Sequence, residues 1–153
     1  MPDIGDIAPD FTLPRDGGKA VTLSSLRPAP VILFFYPRDD TSGCTKEAIA
    51  FTGLVDDFAA AGAEVFGISK DTVAQHDRFR DKHGLTIPLL SDADGSVCED
   101  YGVWKEKSMY GKTFFGIERS TFLIGGDGTV ARAWRKVKVP GHAEEVLEAA
   151  RDL

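Results

Sequence analysis

The chain has 153 residues, of which 42% are hydrophobic and 27% are charged, a composition typical of a soluble globular protein. Its 18 Lys and Arg residues against 24 Asp and Glu residues give a net charge of −6, which argues against a nucleic-acid partner. The longest apolar run, Val31 to Tyr36, is too short to span a membrane, and the acidic start lacks the basic region of a secretory signal. Two cysteines are too few for a secreted disulfide framework. We therefore expect one cytoplasmic domain over residues 1–153.

The first part of the chain predicts a hairpin, a buried strand and a helix. Two β-rich runs, Phe11-Thr-Leu and Val21-Thr-Leu, flank the turn Arg15-Asp-Gly-Gly-Lys, which is typical of a β-hairpin. The β-branched and aromatic run Val31 to Tyr36 predicts a strand buried on both faces. Apolar residues then recur at steps of four and three, which predicts an amphipathic helix from about Ser42 to near Gly62. Its stripe is Cys44, Ala48, Phe51, Val55 and Phe58.

The remainder alternates strands with helices. A buried strand is predicted at Glu64 to Ser69, and Thr72 with Gln75 forms a capping box for a helix that runs to Gly84. Further expected elements are a short strand at Pro88-Leu-Leu, a helical turn from Ser96 to Tyr101, a hairpin of Thr121–Ile124 with Val130–Trp134, and a helix from Ala143 to Arg151. This order predicts an α/β fold with a mixed central sheet flanked by helices and an N-terminal β-hairpin.

The segment Tyr36-Pro-Arg-Asp-Asp-Thr-Ser-Gly-Cys-Thr-Lys-Glu47 lies where a buried strand gives way to a helix, a usual position for sites in α/β sheets. With Thr41 or Ser42 as the N-cap, Cys44 lies in the first helical turn. Thiols near helix N-termini are stabilised as thiolates, because unpaired N–H groups and the positive end of the helix dipole face them. The alternative is that Cys44 is core filler, since it also begins the apolar stripe, and spacing alone favours that alternative.

Here the sequence resembles a known family. Pro37-x3-Thr41-x2-Cys44 matches the active-site signature of peroxiredoxins, and the longer Thr-Ser-Gly-Cys-Thr-Lys-Glu-Ala segment resembles the bacterioferritin-comigratory, or Q-type, subgroup. Three further segments are similar to that subgroup: Gly5-Asp-Ile-Ala-Pro-Asp-Phe, Val97-Cys-Glu-Asp-Tyr-Gly-Val-Trp-Lys-Glu-Lys-Ser and Gly116-Ile-Glu-Arg-Ser-Thr-Phe-Leu-Ile. The resemblance implies a thioredoxin-like fold and a thiol-dependent peroxidase that reduces hydrogen peroxide and organic hydroperoxides. The resemblance therefore favours Cys44 as a reactive thiol over Cys44 as core filler.

The resemblance also implies the roles of individual residues. Cys44 would be the peroxidatic cysteine, which attacks a peroxide oxygen and becomes sulfenic acid. The donors to the peroxide would be the Thr41 hydroxyl, the Gly43 and Cys44 N–H groups, and Arg119, while Pro37 would shield the thiolate. Without the motif, Arg119 would be read as a surface ion pair with Glu118 or another carboxylate.

Glu47 is a weaker candidate. We expect it on the exposed side of the helix, where it would orient the arginine or merely complement the helix dipole as a solvated acid.

The chain departs from the family pattern at the resolving cysteine. Many Q-type members carry it five residues after the first, where this chain has Ile49, and others carry it in the next helix, which here has none. The remaining thiol, Cys98, is expected to be a half-buried structural cysteine beside Val97 and Tyr101. The sequence therefore predicts a one-cysteine route completed by thioredoxin, glutaredoxin or a small thiol, in a monomer or weak homodimer.

No metal, haem or flavin cofactor is implied. His76 and His83 share a predicted helix, but seven residues at about 1.5 Å each place them too far apart to hold one metal. Two alternative functions remain at this point. A thiol–disulfide oxidoreductase would be favoured by a second catalytic cysteine near Cys44, which the sequence lacks. A chaperone or peroxide sensor would show slow turnover and a stable oxidised state.

Overall fold

The computed structural model describes residues 2–153. Its strands are β1 (Thr12–Pro14), β2 (Ala20–Thr22), β3 (Val31–Phe35), β4 (Glu64–Ser69), β5 (Leu89–Ser91), β6 (Trp104–Met109), β7 (Lys112–Ile117), β8 (Ser120–Ile124) and β9 (Val130–Trp134). Its α-helices are α1 (Ser42–Gly53), α2 (Val55–Ala60), α3 (Val73–His83), α4 (Val97–Asp100) and α5 (His142–Arg151). A 3-10 turn covers Leu23–Leu26.

The central sheet has the strand order β5-β4-β3-β8-β9. The strands β3, β4 and β5 run parallel, whereas β8 and β9 are antiparallel to their neighbours. The prediction of a mixed sheet is therefore confirmed, and β1 and β2 form the predicted N-terminal hairpin. All five residues of β3 are buried, as expected for a central strand covered on both faces.

The two faces of this sheet support two separate apolar cores. Ile32 and Phe34 of β3 pack with α1, α2, α3 and α5 in one core. Leu33 and Phe35 face the other way and pack with the N-terminal segment, α4 and part of β8. This division follows from the two-residue period of a strand, which sends alternate side chains to opposite faces. It matters for function because Cys44 lies in the first core and Cys98 in the second.

The helices differ from prediction at one point. The expected single helix from Ser42 to Gly62 is two helices, because Leu54 leaves the helical conformation at φ −109° and ψ 7°. Gly53 precedes the break, and glycine is a poor helix former. Phe58 is nevertheless buried in α2, as the stripe predicted. The capping box is confirmed, since Thr72 accepts a hydrogen bond from the Gln75 N–H and the Gln75 side chain accepts one from the Thr72 N–H.

The hairpin of β6 and β7 was not predicted. Met109 pairs with Lys112 across a two-residue turn, in which Tyr110 and Gly111 have φ values of 53° and 77°. Two successive positive φ angles are typical of the tight turns that join antiparallel strands. Most side chains of this hairpin are exposed, so its strands lack the apolar alternation that reveals a half-buried strand.

Across residues 2–153, no helix combines the length and the apolar character needed to cross a membrane.

Candidate active site

The junction between β3 and α1 carries the cysteine singled out by the sequence. Tyr36 and Pro37 follow the buried strand, and Thr41 is the N-cap of α1 in an extended conformation. The Thr41 hydroxyl donates a hydrogen bond to the Arg38 carbonyl at 2.9 Å, so it is not used to cap the helix. The first N–H groups of an α-helix have no acceptor within the helix. Those of Gly43 and Cys44 therefore lie at the positive end of the α1 dipole.

Arg119 reaches the thiol although it is 75 residues away in sequence. Its Nη2 donates a hydrogen bond to Cys44 Sγ at 3.3 Å. The register of the sheet explains this contact, because Phe35 at the end of β3 pairs with Ser120 at the start of β8. Arg119 directly precedes β8 and so lies beside the beginning of α1. Cys44 itself is only 1% exposed.

Glu47 is buried, and the expectation that it lies on the exposed side of the helix was wrong. Its side chain is 1% exposed, and its Oε1 accepts a hydrogen bond from Arg119 Nη1 at 2.7 Å. The cause is its position three residues after Cys44, which places both residues on the same face of α1. Arg119 thus pairs with Glu47 rather than with Glu118, and one guanidinium bridges the thiol and a buried carboxyl.

The burial of this pair shifts its proton affinities. Burial raises the pKa of Glu47 to about 7, although the charge and hydrogen bond of Arg119 act in the opposite direction. For Arg119, burial alone would lower the pKa, but the charges of Glu47 and Cys44 outweigh it and raise the pKa above its usual value. Glu47 Oε2 is buried without a hydrogen-bond partner among the described residues. The guanidinium is therefore charged throughout, whereas the carboxyl titrates near neutral pH.

Gly43 and Pro37 lie in the segment that leads from β3 into α1. A Cβ atom at Gly43 would lie 3.2 Å from Arg119 Nη2, which is closer than most real Cβ contacts. Glycine therefore lets the guanidinium approach the start of α1. Pro37 is half-buried directly after the last residues of the β3 segment.

Lys107 of β6 is a neighbour of the site that the sequence patterns did not single out. Burial and the nearby charge of Arg119 lower its pKa, and the charge of Cys44 opposes this shift. The sequence feature that could have revealed this hairpin is the Tyr110-Gly111 pair, because a two-residue turn there pairs Lys107 of one strand with Phe114 of the other.

Cys98 lies on the opposite face of the sheet from Cys44. It is fully buried rather than half-buried, which corrects the expectation from sequence. The reason is that α4 packs into the second core beside Val97 and Tyr101, which are themselves buried. Burial raises the pKa of Cys98 well above its ordinary range, and the Asp92 carboxylate adds to this shift. Cys98 is a protonated thiol at neutral pH.

One group of possible metal-binding side chains occurs among residues 2–153, formed by Asp39, Asp71 and His76. Their ligand atoms lie within 4.8 Å of one another. Both ring nitrogens of His76 already face protein oxygens, Asp39 Oδ2 at 2.6 Å and the Leu90 carbonyl at 2.9 Å. The group is therefore a hydrogen-bond network within the protein.

Comparison with known proteins adds to this geometry. The AhpC/TSA family pattern matches residues 4–133. A putative peroxiredoxin bcp from Coxiella burnetii is 50% identical to the chain, and the match covers 95% of this chain and 96% of that protein. PrxQ from Xylella fastidiosa, solved as a cysteine-to-serine variant, has a TM-score of 0.93 and 43% identity over 99% of this chain and 97% of its own.

A third relative has been studied for its activity. The bacterioferritin comigratory protein of Xanthomonas campestris, whose trapped intermediate and ligand complexes concern alkyl peroxide reduction, has a TM-score of 0.91 and 43% identity. That match covers 99% of this chain and 97% of the solved one.

Proposed function

The chain belongs to the AhpC/TSA family and is a peroxiredoxin, a thiol-dependent peroxidase, and we propose that Cys44 is its peroxidatic residue in a one-cysteine cycle. The contact that carries this proposal is the hydrogen bond from Arg119 Nη2 to Cys44 Sγ at the start of α1. The proposed substrates are hydrogen peroxide and organic hydroperoxides. Alkyl peroxide reduction by the Xanthomonas campestris relative supports the second class.

In the proposed reaction the Cys44 thiolate attacks one peroxide oxygen. An S–O bond forms while the O–O bond breaks, so the sulfur is oxidised to sulfenic acid and the peroxide is reduced. The leaving oxygen takes a proton and departs as water or an alcohol. Negative charge moves from sulfur to this oxygen in the transition state, and fixed donors aimed at that charge lower the barrier.

Four groups are proposed as these donors. Arg119 supplies a permanently charged guanidinium, and Gly43 and Cys44 supply backbone N–H groups at the start of α1. The fourth is the Thr41 hydroxyl, which must exchange its present acceptor, the Arg38 carbonyl, for a peroxide oxygen. Pro37, between β3 and α1, is proposed to limit the approach of water to the thiol.

Glu47 is proposed to position Arg119. Its carboxyl holds Nη1 at 2.7 Å, which leaves Nη2 directed at the sulfur. Because Glu47 already holds one side of the guanidinium, Arg119 loses less conformational freedom when the other side binds the peroxide. Among the described residues, the Glu47 side chain forms a hydrogen bond with Arg119 and none with the Cys44 sulfur.

The one-cysteine cycle is proposed because neither alternative position supplies an accessible resolving thiol. Position 49 is Ile49, and α3 carries no cysteine. Cys98 is buried in the core on the other face of the sheet, and burial beside Asp92 raises its pKa. A disulfide needs Cα atoms within about 7 Å. Cys98 would have to leave its core to meet Cys44.

The sulfenic acid then awaits an external thiol. We propose thioredoxin, glutaredoxin or a small thiol as the reductant, with the protein acting as a monomer or weak homodimer. Because the catalytic thiol must be regenerated in every cycle, the reducing cytoplasm is the proposed location.

The deciding experiment treats the reduced protein with one equivalent of hydrogen peroxide and maps the products by mass spectrometry without reducing agents. We expect one added oxygen on Cys44 and its removal by dithiothreitol, and, in a separate assay with excess peroxide and dithiothreitol, loss of hydrogen peroxide over many turnovers. A protein that consumes peroxide while Cys44 stays unmodified would contradict the assignment. A quantitative Cys44–Cys98 disulfide would instead overturn the one-cysteine cycle alone.

A further inference from the structure

A buried chain of hydrogen bonds runs beneath the segment that leads into α1. The Tyr36 hydroxyl donates to Asp39 Oδ1 at 2.6 Å, and Asp39 Oδ2 lies 2.6 Å from His76 Nδ1. On the other side of the ring, His76 Nε2 lies 2.9 Å from the Leu90 carbonyl oxygen. His76 is fully buried. This chain joins the end of the β3 segment, α3 and β5, and the peroxidase chemistry described above makes no use of it.

The chemistry of the partners fixes where the protons are. A backbone carbonyl only accepts hydrogen bonds, so His76 Nε2 must carry a hydrogen. A neutral ring of that tautomer would turn the Nδ1 lone pair toward the Asp39 carboxylate, which is repulsive. The 2.6 Å contact therefore contains a shared proton, as in an imidazolium–carboxylate pair.

The surroundings favour the charged pair. Burial alone would lower the pKa of His76, but the hydrogen bond and charge of Asp39 raise it above its ordinary value. The charge of Asp71, in the loop before α3, acts in the same direction. Tyr36 faces the pair as a neutral phenol, because burial and the charge of Asp39 raise its pKa. Asp39 also borders a cavity lined by three cations, Arg38, Arg78 and Lys82, and by two further acids, Asp40 and Asp71.

Asp39 lies midway between Pro37 and Thr41, the two ends of the segment that frames Cys44. Its backbone N–H also donates to Asp71 Oδ2 at 2.8 Å, so both its backbone and its side chain are fastened beside α3. Movement of Asp39 would move Thr41, the N-cap of α1, and hence the N–H groups aimed at the peroxide.

We propose that His76 and Asp39 are positioning residues for peroxide reduction, and that their shared proton holds the segment from Pro37 to Thr41 in its reactive geometry. The inference rests on the proposed function of Cys44. It assigns no contact with substrate to either residue.

The proposal has a consequence for pH. When the pair loses its proton, His76 keeps a hydrogen on only one ring nitrogen, so it can no longer donate to both Asp39 and the Leu90 carbonyl, and the chain of hydrogen bonds from the segment to β5 is broken. Because the pKa of His76 is raised, the link is present at and below pH 6.5 and is lost as pH rises through the higher value. The rate of Cys44 oxidation should then fall below what thiol ionisation alone predicts.

The variant Asp39→Asn separates this effect from thiol ionisation. The amide that it introduces can donate to Nδ1 of a neutral imidazole and accept from the Tyr36 hydroxyl, while Nε2–H still donates to the Leu90 carbonyl. All three hydrogen bonds of the chain are then made without any group that titrates. The control is Asp81→Asn, which neutralises an exposed acid of α3 that pairs with Arg80 on its own helix and lies outside the hydrogen-bond chain.

The measurement is the rate constant of Cys44 oxidation by hydrogen peroxide in stopped flow, from pH 6 to pH 10. We expect the ratio of wild type to Asp39→Asn to be near one at pH 6 and to fall by about tenfold at high pH, since small misplacements of catalytic groups have effects of this size. The ratio of wild type to Asp81→Asn should stay constant. Asp39→Ala, which cannot make the link, should be about ten- to hundredfold slower at every pH.

A spectroscopic readout accompanies the kinetics and does not depend on activity. In ¹⁵N-histidine-labelled protein, the wild type should show both His76 nitrogens protonated at pH 6, and Asp39→Asn should show only Nε2 protonated. A constant ratio of wild type to Asp39→Asn from pH 6 to pH 10 would overturn the proposal, as would a neutral His76 in the wild type at pH 6. Failure of the proposed function itself looks different, because the wild type would then show no Cys44-dependent reaction at all.

Discussion

The two cysteines occupy comparable positions and have opposite surroundings. Both begin helical segments, and both are almost completely buried, with 1% of Cys44 and none of Cys98 exposed. The sulfur of Cys44 accepts a hydrogen bond from the Arg119 guanidinium, whereas Cys98 lies against the Asp92 carboxylate. Arginine stabilises a thiolate and aspartate opposes it. Burial therefore does not distinguish the two cysteines, whereas the sign of the nearest charge does.

The helices strengthen this contrast. Cys44 lies in the first turn of the twelve-residue α1, where the helix dipole adds positive potential. Cys98 lies in the four-residue α4, whose first N–H groups donate to Asp92, at 2.8 Å in the case of Cys98 itself. The carboxylate thus uses the donors that would otherwise face the sulfur. On opposite faces of one sheet, the neighbours of Cys44 thus favour the proposed nucleophile, and those of Cys98 favour a core residue.

The strongest test of this contrast is Cys44→Ser. It should abolish peroxide reduction, because a serine hydroxyl is far more weakly acidic and nucleophilic than a thiol, while the change in volume is small. Loss of hydrogen peroxide in the presence of dithiothreitol measures the effect, and circular dichroism checks the fold. A Cys44→Ser protein that keeps most of its activity would disprove the assignment of the reactive cysteine.

Arg119→Ala tests whether the sign of the neighbouring charge matters. Removing one fixed donor to a developing negative charge typically slows a reaction by about 10²–10³-fold, and we expect that range for the oxidation step. Stopped-flow rates at the high-pH plateau, where thiol ionisation no longer limits the reaction, isolate the contribution to the transition state. Arg119→Lys is the control, since it keeps the charge but cannot bridge Cys44 and Glu47. Plateau rates equal to wild type would limit Arg119 to an effect on ionisation.

Glu47→Gln probes the carboxyl behind the arginine and gives a pH dependence of known sign. The pKa of Glu47 is about 7 in the folded protein, against an ordinary value of 4.5 for a solvated glutamate, so the folded state keeps a proton that the unfolded state loses. Stability must therefore fall as pH rises from about 4.5 to 7, by about 3 kcal/mol in total. Glu47→Gln should lack this loss, so its stability relative to wild type should be greater at pH 8 than at pH 4.5.

Urea denaturation at the two pH values measures this difference, and the exposed Glu64→Gln serves as the control. If wild type and Glu47→Gln change in parallel between pH 4.5 and pH 8, the carboxyl does not titrate near neutral pH. Arg119 would then be held by a permanent carboxylate.

Much of this arrangement was predictable from local patterns in the sequence. The order of most strands and helices follows from apolar periodicity and turn residues. The start of α3 follows from its capping box. The burial of Glu47 was not predictable in this way, because its partner Arg119 lies 72 residues away and meets it only through the pairing of β3 with β8. A charged residue is placed outside by default, and only tertiary contacts reverse that placement.

The same limit applies to the pair of Asp39 and His76. The sequence shows a histidine on a helix and an acid in a loop, 37 residues apart, with nothing that connects them. The hairpin of β6 and β7 was missed for the opposite reason, since its exposure removes the apolar pattern on which strand prediction depends.

The smallest expected effect on activity comes from Cys98→Ser, and it completes the contrast between the two cysteines. The oxidation rate of Cys44 should stay within about twofold of wild type, because distant sites on opposite faces of the sheet act independently. Turnover driven by thioredoxin should be equally unchanged, since in the proposed one-cysteine cycle the buried, protonated Cys98 thiol takes no part in recycling. Stability should fall by about 1 kcal/mol as a hydroxyl replaces a thiol in an apolar core, with the Asp92 carboxylate as an acceptor that limits the loss. Selective loss of thioredoxin-driven turnover in Cys98→Ser, with an unchanged oxidation rate, would show that Cys98 leaves its core during each cycle. The two cysteines would then be partners, and local unfolding of α4 would have to precede their reaction.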